Sequence, residues 1–67
     1  MMEDGKAVMI GENVMATLVG NALHIVVDLA APGRLSASGK NLLVATTGKA
    51  ATIKGHQVNL NVYRRPA

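Results

Sequence analysis

Two-residue breaks that begin with glycine recur between runs of aliphatic side chains, and they constrain this chain more than any other feature. Gly20-Asn21 separates Val14–Val19 from Ala22–Leu29. Gly48-Lys49 separates Asn41–Thr47 from Ala50–Lys54, and Gly55-His56 separates that short run from Gln57–Arg64. A two-residue loop with glycine first suits a type II′ turn, whose twist matches antiparallel strands. The runs alternate with period two, most strictly in the last, where Val58, Leu60 and Val62 oppose Gln57, Asn59, Asn61 and Tyr63. That pattern reads as strand.

The first break also sets a register. Leu18 then faces Leu23, Ala16 faces Ile25 and Val14 faces Val27, which makes one side of the hairpin wholly apolar. Thr17 opposite His24 and Met15 opposite Val26 fall on the other side. The same construction through the later breaks stacks Val44 on Ile53 and Ile53 on Val58, with Ala51 beside Leu60 and Thr46. Pro66, which has no N–H to donate, is expected to end the last ladder. The expected architecture is all-β: a hairpin, an 11-residue connection over 30–40 and a three-strand meander. Together they form a five-stranded antiparallel barrel or a curved sheet. Residues 1–11 read as a mobile or loosely attached arm, with a short strand at Ala7–Ile10 as the alternative, and residues 12–67 as one small domain. The edge strands in this reading, 14–19 and 57–64, are long enough to pair between copies.

Composition bears on how such a domain can be stable. The chain has 67 residues, no Cys, Phe or Trp, and Tyr63 as its single aromatic residue. Aliphatic side chains alone must fill the core, and no disulfide can staple it. Small domains without staples are commonly rescued by association. A homo-oligomer is therefore expected, with Met15, Val26 and Leu43 (and Ala45 beside it) on the outer face as interface candidates. No export signal or membrane-spanning apolar run is present, so a soluble cytoplasmic protein with no membrane partner is expected.

Charge is divided along the chain. After Asp28 come Arg34, Lys40, Lys49, Lys54, Arg64 and Arg65 with no acidic residue among them. Cations with the neutral amides of Gln57, Asn59 and Asn61 suit contact with phosphates, so nucleic acid is the expected external partner. Tyr63 beside Arg64 offers one ring for stacking. The strands otherwise lack the aromatics on which single-strand binders stack bases.

Catalytic chemistry finds little material. Asp28 is the only carboxylate beyond residue 12, and His24 and His56 lie on separate elements with no thiolate to complete a metal set. The connection containing Gly33, Arg34, Gly39 and Lys40 departs from the GxxxxGK[ST] spacing, has Asn41 where Ser or Thr is needed, and leads into a strand instead of a helix. No enzyme, no cofactor, no metal and no small-molecule substrate are expected. The leading expectation is a non-catalytic, homo-oligomeric β module that binds nucleic acid through a basic surface. The alternative is a structural or protein-interaction module assembled through its aliphatic outer face.

Overall fold

The computed structural model describes residues 4–65; residues 1–3 of the expected arm, and Pro66, lie outside them. The described chain is all-β, with no helix. Its strands are β1 (Ala7–Gly11), β2 (Val14–Val19), β3 (Ala22–Val26), β4 (Arg34–Leu35), β5 (Leu42–Thr46), β6 (Ala51–Ile53), β7 (His56–Val58) and β8 (Asn61–Arg64). They form three small antiparallel sheets, ordered β1-β2-β3, β4-β5-β8 and β6-β7. The ladder from β5 to β6 that a meander requires is absent among the described residues, and no closed barrel is formed.

The first hairpin has the register its sequence predicts: Leu18 opposite Leu23, Thr17 opposite His24, Ala16 opposite Ile25 and Met15 opposite Val26. Gly20 has a φ of 59°, as the first position of a type II′ turn demands. The second strand stops at Val26, so Val14 and Val27 are not paired. Asn13 and Asp28 account for the stop. The Asn13 side chain donates to the Asp28 carbonyl (2.9 Å) and accepts the Asp28 N–H (3.3 Å), while the Asp28 carboxylate accepts from the Ala30 N–H (2.9 Å). An aspartate that captures the backbone two residues on turns the chain.

Residues 7–11 are β1, which pairs with β2 and makes β2 a central strand instead of an edge. A bulge after Met9 sets Gly11 opposite Val14. Gly11 lies against the backbone of Thr46 and Thr47, where a Cβ would overlap the Thr46 carbonyl. That approach lets Glu12 and Thr46 exchange backbone hydrogen bonds (2.8 and 3.0 Å), which join the first sheet to the second.

The second half departs from the meander. β5 pairs with β8, bringing Leu43 opposite Tyr63 and Ala45 opposite Val62. The Gly48-Lys49 break does not close a hairpin. Thr47 and Leu60 hold each other instead: the Thr47 N–H donates to the Leu60 carbonyl (3.0 Å) and the Leu60 N–H to Thr47 Oγ1 (3.1 Å). The expected strand 57–64 is thereby split, and β6-β7 stands as a separate hairpin. Its turn is Lys54-Gly55, with φ of 49° and 78°, which is the type I′ signature. Ile53 accordingly faces His56 and Ala51 faces Val58, each two residues short of the partner expected from a Gly55-His56 turn. The 30–40 connection is partly ordered as well: β4 pairs with β5, and a turn closes through Ser36 N–H to the Asn41 carbonyl (2.8 Å).

The core consists of Val14, Ala16, Val44, Ala45 and Ile53, with Thr46 buried beside them and bonded to Asn61. Ala45 therefore lies inside, contrary to the outer position expected for it. The bulge between Leu43 and Ala45 breaks the alternation, so Val44 and Ala45 both turn inward. The molecule measures 39 × 21 × 14 Å, and its radius of gyration of 13.0 Å exceeds the ~11 Å of a compact chain this long. It exposes 4823 Å² of surface, against ~4,000 Å² for a compact protein of 7.0 kDa.

Candidate interaction surfaces

Three of the six cations after Asp28 are spent within the chain. Arg34 makes a two-pronged contact with Glu12, Nε to Oε2 at 3.0 Å and a terminal nitrogen to Oε1 at 3.2 Å. Both side chains are about 60% exposed (59% and 60%), so this pair contributes at most ~1 kcal/mol and serves mainly to tie β4 to the inter-sheet bridge. Lys54 Nζ donates to the Gly20 carbonyl (3.2 Å) and Asn21 Oδ1 (3.1 Å), linking the tips of the β2-β3 and β6-β7 hairpins. Arg64 donates to the carbonyls of Ala31 (3.2 Å) and Pro32 (3.0 Å) and so pins the chain before β4. The side chains of Lys40, Lys49 and Arg65 are exposed and hydrogen-bond to no group among the described residues.

The cations also fall into two groups. Arg34, Lys40, Arg64 and Arg65 gather at one end of the β4-β5-β8 sheet, because Arg34 pairs with Leu43, Arg64 pairs with Leu42, and Lys40 immediately precedes that pair of rows. Lys49 lies in the loop before β6, and Lys54 in the β6-β7 turn. Strand alternation separates the first group again. Tyr63 shares a row with Leu43 and Arg34, whereas Arg64 shares one with Leu42 and Leu35 on the opposite face. Tyr63, 60% exposed, is therefore placed with Arg34 and not with its chain neighbour Arg64.

The aliphatic surface is more continuous. Met9, Met15 and Val26 form one row across all three strands of the first sheet, with exposures of 54%, 38% and 62%. Val19 and Ala22 form another row on that face, with Ala7, Thr17 and His24 between the two. Met15 and Val26 thus sit together on an outer face, as their alternation predicts. Leu43 does not join them: it lies on the other sheet, half-buried between Arg34 and Tyr63. Met9 was concealed because its run was too short and too irregular to fix a strand face.

On the other side of the sheet, Leu18, Asn21 and Leu23 line an open cleft of about 490 Å³ with Ile53, Lys54 and His56. The polar groups there close turns: Lys54 holds the Gly20-Asn21 turn, and His56 Nδ1–H donates to the Lys54 carbonyl (2.8 Å). No group of three or more His, Cys, Asp or Glu side chains lies together among the described residues, and no helix there is long and apolar enough to cross a membrane. No protein-family model, curated protein or solved structure matches the chain.

Proposed function

We propose that this chain is a small non-catalytic β module whose working form is a homo-oligomer assembled through the apolar β1-β2-β3 sheet. The observation that carries the reading is the balance of covered and uncovered aliphatics. Five apolar side chains are buried, while Val8, Met9, Met15, Val19, Leu23, Ile25 and Val26 of one sheet stay exposed. Met9, Met15, Val19 and Val26 of these share the outer face, and apolar surface gathered on one face of a small protein marks an interaction site. Substituting Val26→Lys, which adds a charge at the most exposed position of the outer row, is expected to shift the particle to the monomer mass in light scattering. Retention of the native mass contradicts an interface on that face.

A second reading, nucleic-acid binding by the assembled particle, is favoured by the gathering of Arg34, Lys40, Arg64 and Arg65 at one sheet end, where Glu12 is the only carboxylate among the described residues bonded to any of them. Symmetric repetition multiplies such a patch. Fluorescence anisotropy with single- and double-stranded DNA and RNA tests it. Affinity is expected to fall with salt by a log–log slope of about −0.9 per phosphate contacted. The double substitution Lys40→Ala and Arg65→Ala is expected to flatten that slope without loss of fold, since neither side chain holds a group among the described residues. No binding at low salt removes this reading and leaves the assembly intact.

A further inference from the structure

We infer that two copies join edge to edge, β3 pairing antiparallel with β3 of a second copy about a two-fold axis at His24, to make one six-stranded sheet. The inference rests on the self-association proposed above and names its contact.

The unprotected edges of the molecule select β3. Strand edges carry unpaired N–H and C=O groups, and proteins blunt them with bulges, short length or charge. β1 is bulged after Met9. β4 has two residues, and β6 and β7 have three each. β8 ends in Arg64 followed by Arg65. β3, with the sequence Ala22-Leu23-His24-Ile25-Val26, has five regular residues, no bulge, no Pro, no Lys, Arg, Asp or Glu, and every residue exposed.

The register follows from which backbone groups are free. The Leu18 carbonyl accepts from the Gly5 N–H (2.6 Å), on the β1 side of β2, so the polar groups of Leu18 point away from β3. In an antiparallel ladder, residues directly opposite either bond each other or both face away. Leu23, opposite Leu18, therefore turns its N–H and C=O outward, and Ile25 does the same two residues on. A two-fold axis at His24 sets Leu23 against Ile25 of the second copy, and Ile25 against its Leu23. Both pairs then exchange two hydrogen bonds.

The side chains complement themselves in that register. On the inner face the row Val8-Ala16-Ile25 continues into Leu23 and Leu18 of the second copy. On the outer face Met9-Met15-Val26 continues into Ala22 and Val19. No cross-interface pair brings like charges together, and the only polar pair is the two His24 side chains at the axis. The pairing covers Leu23 and Ile25, each 37% exposed in the single chain.

Cysteine cross-linking tests the geometry directly, because the chain contains no cysteine. Facing residues of a non-hydrogen-bonded antiparallel pair have Cα atoms about 4.5 Å apart, inside the range a disulfide spans. Under mild oxidation the full-length His24→Cys variant is expected to convert mostly to a covalent dimer. Met15→Cys, on the central strand and far from the axis, is expected to give at least tenfold less. Cross-linking at Met15→Cys in preference to His24→Cys, in a particle that remains oligomeric, overturns the edge pairing and keeps the self-association. Cross-linking at neither position in a particle of monomer mass overturns both.

Discussion

Asn13 holds more of this fold than any of its apolar neighbours suggest. It sits at a φ of 56° between β1 and β2, donates to the carbonyls of Asp28 and Val44, and accepts the Asp28 N–H. One side chain thus ties the start of β2 to the exit of β3 and to β5 of the other sheet. Asn tolerates the left-handed region better than most residues, and its short amide can serve donor and acceptor roles together. Asn13→Ala removes those bonds and strains the backbone, with an expected loss of about 2 kcal/mol in urea unfolding. Asn13→Gly keeps the backbone at ease and isolates the lost hydrogen bonds, so a smaller loss is expected. Equal stability of wild type and Asn13→Ala contradicts the role. None of this is legible locally, because the partners of Asn13 lie 15 and 31 residues away.

At the scale of elements, legibility tracked how local each determinant is. The β2-β3 hairpin depends on Gly20 and on side chains within a few residues of it, and its register is the one the alternation predicts. The β6-β7 hairpin offered two turn placements one residue apart, both with Gly55 inside the loop. The structure adopts the one in which Lys54 also takes a positive φ. Lys54→Val places a β-branched side chain at that φ and is expected to cost about 1–2 kcal/mol, with Lys54→Asn costing less. Stabilisation by Lys54→Val contradicts the Lys54-Gly55 turn and restores Lys54 to the ladder. The pairing of β5 with β8 was hidden for another reason. Consecutive strands usually pair, whereas here Thr46 bonds Asn61 and Thr47 bonds Asn59 and Leu60, 12 to 15 residues away, and β5 is held to β8 instead of β6. The same diversion explains the basic residues. Their positions in the chain were plain, but their division between β-sheet end and hairpin, and the anchoring of Arg34, Lys54 and Arg64, depend on contacts 22 to 34 residues away.

For the molecule as a whole, composition was the most informative level. A chain lacking Cys, Phe and Trp must fill its core with aliphatics, and five of them are buried among the described residues. Seven of the ten exposed large apolar side chains among the described residues lie on the β1-β2-β3 sheet, whose far edge, β3, has no device against further pairing. A domain this size supplies little stability from its own core. Association that covers the exposed aliphatics stabilises the folded chain by mass action. Sedimentation equilibrium of the unmodified protein over a range of concentrations tests this most directly. The expected result is a particle of at least twice 7.0 kDa that persists at high salt. A folded species of 7.0 kDa throughout that range contradicts self-association.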